Sequence, residues 1–496
     1  MAIYDLFALI LSFFTLFIYF VVGVRRSPEI LKMDDFFFYG RRLDKKGYES
    51  TFIVTGISLA TVLFFFLDYG GVFGLPLILS PIMFCLGTYI FYKILPILNR
   101  AGFLHNGSTL HNFIGTAYNF KTLRYSSAII SILGYLGMFV IELYVGIEVF
   151  QILFPDPFWR VIITLFLMSL IFIYVYMGGY KAVVDTDRIQ LALIFFATTL
   201  ALIALIYLNF TLPKQNPVNI APYKGLLPIS FIVVMIVGNV PFQILRMAHW
   251  QRAAAVGNIE IIQDGLKHSI VWTFIIWLIF SVIGMLLFWV TDINGSGAIA
   301  LLELFRNNIL PYNYIIYPLL FTGFIAALIS TADSIFISIL TSYIYDFKHY
   351  EMLHDKNGNS SIDLSESDQA KGLKSTKQSI LFILIVGGVF YYLLVEVFKF
   401  EFIDLLFVFF NQQLSLFPAV VLALRSKNGN CKDMKYPVLI AMWVGWIIVW
   451  IISIYGKNNN KHDLVLYAAM IGWIASILIT FFLSPIKTIK IIWGKT

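Results

Sequence analysis

Apolar residues fill this chain in long runs separated by short polar stretches. Windows of about 20 residues, the length a helix needs to cross a hydrocarbon core of about 30 Å, mark candidate spans. They fall near 3–24, 49–69, 73–98, 126–153, 158–177, 189–211, 226–246, 269–290, 312–345, 379–398, 402–424, 436–455 and 463–484. The pattern predicts an all-α polytopic membrane protein with 13 transmembrane helices. The first run follows Asp5 rather than a basic cluster, and no small-x-small cleavage site follows it, so it reads as a retained helix. One transmembrane domain is expected over 1–485, with a cytoplasmic loop at 346–378 and a cytoplasmic tail at 486–496. No short repeat is visible in the sequence.

Charge orients these spans. With the N-terminus outside, 28 of the 35 Lys and Arg residues lie in inner segments and seven in outer ones, a bias that places the C-terminus in the cytoplasm. The net charge of +7 is explained by this segregation, and no nucleic-acid partner is inferred from it. Composition agrees: 59% of residues are hydrophobic and 13% charged, against about 45–50% and 25% in soluble domains. The two cysteines, Cys85 in an apolar run and Cys431 in a polar loop, form neither a disulfide framework nor a thiolate metal site.

Polar and helix-breaking residues inside the runs carry the candidate chemistry. The second span contains Thr55-Gly56-Ile57-Ser58-Leu59-Ala60-Thr61, and the seventh contains Gly238-Asn239-Val240-Pro241. Glycine weakens a helix and proline removes a donor, so carbonyls are freed there that need partners in a membrane. Interruptions five spans apart fit a central binding site, and they also fit plain kinks. In the ninth span, Ala327, Ser330 and Thr331 fall on one face at i, i+3 and i+4. Their hydroxyl and carbonyl oxygens suit a small hard cation such as sodium, and no His or Cys joins them to suit zinc or copper. The other reading is helix–helix adhesion through Ser and Thr. Met177 to Gln190 sets Asp185 and Asp187 at a cytoplasmic helix mouth, either on an ion exit path or in a solvated loop. Asp68, Glu142, Glu148 and Glu396 are intramembrane carboxylates; Glu148 and Glu396 lie near outer ends, and Asp68 and Glu142 are the sharper functional candidates. His249 is read as interfacial, beside Trp250.

These segments together resemble the sodium:solute symporter family, relatives of bacterial sodium/proline and sodium/galactose transporters. Gly178 to Gln190 resembles its G-G-x-x-A-V-x-x-T-D-x-x-Q signature, and Ser330 to Ser334 its S-T-A-D-S signature, continued by Ser338 and Asp346. Trp250-Gln251-Arg252 resembles the Q-R segment after the seventh helix. Asp35-Phe36-Phe37 with Gly40-Arg41-Arg42 resembles the D-F-F-x-x-G-R segment after the first. The resemblance implies a leucine-transporter-type 5+5 inverted repeat with broken first helices, its halves at about 49–211 and 226–424. It implies Na+ as coupling ion, at a site formed by Ser58, Thr61, Ala327, Ser330 and Thr331, with Asp187 on the exit path. It implies a small organic solute bound near Phe65, Phe84, Asn239, Phe242 and Gln243, in a bacterial inner membrane; from the residues themselves, the intramembrane carboxylate Asp68 and, on the eleventh span before Pro418, Gln412 are added as polar solute contacts. No organic cofactor is implied.

Two departures bear on the cargo. Phe65 and Phe84 stand where sugar-transporting members carry a glutamine and a glutamate, and sugar hydroxyls are costly to desolvate without partners, so a hexose fits poorly. Asp185 replaces a residue usually aromatic. Rival functions are a proton-coupled carrier using Asp68 or Glu142, a transporter-like solute sensor, and an enzyme, for which no catalytic set is visible. One further pattern lies in the polar loop. Asp355, Asn357, Asn359, Asp363 and Glu366 match the spacing of a calcium loop, although Ser360 stands where the turn glycine belongs. Calorimetric titration of the 346–378 peptide checks it: calcium binding gives heat, and silence at millimolar calcium removes the idea.

Overall fold

In lipid, every backbone N–H and C=O must be satisfied inside the chain, and the helix does this within one segment. The computed structural model describes residues 2–211, 229–291, 296–307, 312–348, 351, 366–400, 402–425, 431–459 and 461–484, and all regular structure among them is helical. Eleven helices are long and apolar enough to cross a membrane, and a shorter apolar helix covers Val62–Phe73. The calcium-like residues Asp355, Asn357, Asn359 and Asp363 lie outside the described residues. Glu366 begins a helix, so the end of the predicted 346–378 loop is helical.

The elements run α1 (Ile3–Arg26), α2 (Met33–Phe38), α3 (Lys45–Thr55), α4 (Phe65–Phe73), α5 (Leu79–Arg100), α6 (Phe103–Asn106), α7 (Leu110–Tyr118), α8 (Lys121–Phe150), α9 (Pro157–Thr211) and α10 (Ile229–Leu245). They continue with α11 (Met247–Val256), α12 (Ile259–Val290), α13 (Gly297–Asn307), α14 (Tyr317–Ser342), α15 (Glu366–Tyr391), α16 (Phe402–Asn411), α17 (Phe417–Arg425), α18 (Lys435–Asn458) and α19 (His462–Leu483). The centre of the bundle is α14, whose residues are almost all buried; it packs on α1, α3, α8 and α9. The helix α12 lies on α3, α4 and α5, and α10 lies on α5. Small residues let these helices approach: a Cβ on Gly70 would come within 2.6 Å of the Gly284 backbone, and one on Gly23 within 2.6 Å of Tyr174 Cβ.

The first helix is tied at three levels. At its N-terminal end, Arg306 grips Asp5 with two hydrogen bonds of 2.9 Å, and Tyr317 donates to the same carboxylate at 3.2 Å. Midway, the Ser12 and Thr322 hydroxyls meet at 3.1 Å. At its C-terminal end, Arg26 pairs with Asp185 at 2.5 Å, and Arg188 lies 3.6 Å from the other Asp185 oxygen. The acidic departure at 185 therefore has a structural reason: it holds α1 to α9.

A straight helix of 55 residues would reach about 80 Å, far beyond one bilayer crossing, and α9 is interrupted at Gly179 (φ +53°, ψ −147°). Helix resumes at once, so the segment after Gly179 is not the solvated loop that was one reading of it. A Cβ at Gly179 would sit 2.7 Å from Phe36 O and 2.8 Å from its ring. Gly179→Ala therefore combines a torsional penalty of about 1–3 kcal/mol with this clash. Gly102 (φ +74°) has nothing within 4 Å of its Cβ position, so Gly102→Ala carries only the torsional part. In detergent-purified protein, Gly179→Ala should lower the thermal midpoint clearly more than Gly102→Ala; equal midpoints would show that the Phe36 contact does not hold the turn.

Candidate functional site

The second span breaks where the glycine and polar residues predict. The helix α3 ends at Thr55, Gly56 to Ser58 leave the regular helix, and Leu59–Phe64 resumes as a wide π-type turn leading into α4. Side chains from elsewhere take over the freed carbonyls. Trp277 Nε1 donates to Gly56 O at 2.9 Å, and Arg246 Nη2 to Thr55 O at 3.1 Å. The Thr55 hydroxyl donates to Thr51 O at 2.6 Å, accepts from Arg252 Nη2 at 2.6 Å, and meets Ser334 Oγ on α14 at 3.2 Å. The Ser58 carbonyl is already shared by the N–H groups of Val62 and Leu63, both at 3.2 Å, and Ser58 also carries its side-chain hydroxyl. That hydroxyl donates to the buried carboxylate of Glu142 on α8.

The π-type turn packs on both α8 and α14. On α14, Ala327, Ser330 and Thr331 are all buried, and Ser330 Oγ donates to Asp187 Oδ1 on α9 at 3.1 Å. Asp187 is fully buried. Thr331 Oγ1, Asp187 Oδ2 and Glu142 Oε2 have no hydrogen-bond partner among the described residues. Buried oxygens left unpaired are costly, and these lie on three helices around one interruption; a hard cation would satisfy such a donor set. Thr61 lies in the π-type turn. Just below, Tyr174 donates to Asp333 on the same α14.

The seventh span is broken, but not where proline predicts. The helix α10 runs through Gly238, Asn239 and Pro241 and stops at Arg246 (φ −69°, ψ 105°), after which α11 begins. Trp250 Nε1 donates to Ile244 O at 2.8 Å, and the Ala248 N–H bonds to the Tyr135 hydroxyl at 3.2 Å. His249 is buried, bonds Gln243 Oε1 at 2.8 Å and stacks on Phe52 with ring centroids 4.8 Å apart. It is a core residue of the break and not an interfacial one.

Between the two breaks opens a cleft. Thr55 and Gly56 form one wall, with Phe65 on α4 and Phe84 on α5; Asn239, Phe242 and Gln243 on α10, Arg246 just after it, Trp277 on α12, and Leu406 and Phe407 on α16 line it as well. Five of the seven residues predicted near solute therefore line one cavity. The other two do not line it. Asp68 Oδ1 accepts from Gly297 N at 2.5 Å and Ser296 Oγ at 3.2 Å, so it caps the N-terminus of α13. Gln412 Oε1 is held by the indoles of Trp446 and Trp450 at 2.6 and 3.0 Å. Sequence reading missed Arg246 and Trp277 as partners of the first break. Arg246 had a signal, a cation at the end of an apolar run; Trp277 had none, being one aromatic among many.

No family model matches the chain, and no curated protein matches it. Solved structures do. A Na+-coupled sialic acid symporter, in a substrate-bound outward-open state, aligns over 97% of this chain and 98% of its own, at 17% identity and a TM-score of 0.73. A nucleobase-cation-symport-1 family transporter, closed around bromovinylhydantoin, aligns over 92% and 94% at 11% identity and a TM-score of 0.47. An Eremococcus coleocola manganese transporter aligns over 92% and 96% at 16% identity and a TM-score of 0.42. This chain shares the fold of the first of these over essentially its whole length.

Proposed function

We propose that this protein is a sodium-coupled secondary symporter of the sodium:solute symporter family, importing a small organic solute by alternating access. One observation carries the reading. The interrupted second span abuts the hydroxyl-bearing face of α14, and Ser330 there is bonded to buried Asp187. Ser58, Thr61, Ala327, Ser330 and Thr331 would bind the ion, and Asp187 would pass it inward. In this reading α9 crosses twice, turning at Gly179, and α3 with α4 makes one broken crossing, which brings the spans to thirteen. Breaks in the second and seventh spans support an inverted repeat of five plus five helices, with the ion at the first break and the solute in the cleft. The full-length likeness to a symporter described as Na+-coupled supports the same reading. The chain would lie in the cell membrane with its C-terminus in the cytoplasm.

The driving force is sufficient. For a neutral solute, one positive charge moving down 100 mV releases about 2.3 kcal/mol, enough for a roughly 50-fold solute gradient even without a sodium gradient; an anionic solute cancels that charge and is driven by the sodium gradient or by a second ion. A second reading, proton coupling, draws on the hydrogen bond between Ser58 and Glu142, which puts a buried carboxyl at the same break.

Proteoliposomes decide between them. A thermal-shift screen in sodium first identifies a stabilising solute. Its uptake should then require an inward sodium gradient, and the double variant Ser330→Ala, Thr331→Ala should reduce it at least 10-fold. Uptake driven by a pH gradient and indifferent to sodium would instead move the coupling to Glu142.

A further inference from the structure

The walls of the cleft describe its occupant. Five aromatic side chains line it, Phe65, Phe84, Phe242, Trp277 and Phe407, with Phe84 and Trp277 packed at 4.5 Å between ring centroids. Such a wall favours an apolar body and offers a polyol few partners for its hydroxyls. Among the described residues that line the cleft, Arg246 alone carries a formal charge. It is only half-buried, and its hydrogen bond to Thr55 O uses one of its five N–H donors. It forms no ion pair with a carboxylate of this chain among the described residues.

The neighbouring polar groups strengthen the asymmetry. Gln243, one turn before Arg246, has its carbonyl oxygen fixed by His249, which leaves its amide N–H groups as donors. Asn239 gives its own amide N–H to Met235 O at 3.0 Å, so its oxygen is a neutral acceptor. The Arg246 end of the cleft is thus rich in donors and positively charged, and the other walls are apolar. Among the described residues, no carboxylate lines the cleft to receive an ammonium group. A guanidinium held without a counter-ion away from bulk water is costly, and a carboxylate meets it with two parallel hydrogen bonds.

From this geometry we infer that the solute is an organic monocarboxylate with an apolar, alkyl or aryl body. Its carboxylate docks on Arg246 and Gln243, and its body lies among Phe65, Phe84, Phe242 and Trp277. The inference rests on the cleft being the solute site of a symporter. Amines, zwitterions and sugars are disfavoured, the first two by the missing carboxylate and the third by the aromatic walls. Lysine cannot replace arginine here, because an ammonium lacks the planar fork.

The test uses the purified full-length protein in sodium. Thermal midpoints are measured with acetate, butanoate, phenylacetate and indole-3-acetate, with the matching primary amides, and with phenethylamine, proline and galactose. At least one acid should raise the midpoint with an affinity tenfold or more above its amide, while the amine, proline and galactose leave it unchanged. Arg246→Lys should weaken that acid at least tenfold, and Arg246→Gln should abolish its effect. Arg246 also caps Thr55, so a variant that fails to fold is set aside and the acid–amide comparison on the unaltered protein decides. Acids no better than their amides, or stabilisation by the amine, proline or galactose instead, overturns the inference. The symport reading fails separately: a stabilising acid whose uptake ignores sodium leaves the solute class standing and removes the coupling.

Discussion

A carbonyl oxygen inside a bilayer has no water to accept from, so interrupting a membrane helix is tolerated only where something else donates. The rest of this molecule depends on how that requirement is met at Thr55 and Gly56. The donors are the side chains of Arg246 and Trp277, from the second broken span and its neighbour α12. The two interruptions are therefore not independent defects; a residue at the edge of one completes the backbone of the other. Arg246 is free to reach because α10 stops there, and α10 can stop there because Trp250 and Tyr135 satisfy the groups that its ending exposes.

The same logic explains why four separated sequence segments meet. Phe36 lies over the glycine that turns α9. Gln251 donates to Phe37 O and to Thr341 Oγ1, both at 3.0 Å, and accepts from Ser338. Arg252 reaches the Thr55 hydroxyl, and Asp187 receives Ser330. The motifs after the first and seventh spans, the turn of α9 and the small polar face of α14 thus form one buried knot beneath the cleft. Polar residues so deeply placed specify one arrangement of helices, since each alternative leaves a donor or acceptor unpaired.

The long apolar helices and the first break were legible because hydrophobic length and glycine placement are local properties. The seventh-span break was not, because Pro241 marks a place where a helix is weak, whereas the chain actually leaves the helix where Trp250, Tyr135 and Thr55 wait for the freed groups. Those partners lie on other elements. Asp68 illustrates the limit from the other side. An intramembrane carboxylate suggests function by its cost, yet the N-terminus of α13, distant in sequence, absorbs it. Asp185 likewise had no reading until Arg26 and Arg188 came beside it. Composition of the cleft was half visible: Phe65 and Phe84 argued against a sugar, while the cation that complements them became meaningful only when the fold placed it opposite.

The three ties on α1 have a mechanical consequence. Asp5 anchors it to α13 and α14 at one end, Asp185 anchors it to α9 at the other, and Gly23 lets it press against Tyr174 between them. A rod clamped at both ends and flush along its length cannot slide or swivel against what holds it. The first helix therefore works as a splint, joining α9 and α14 into one frame.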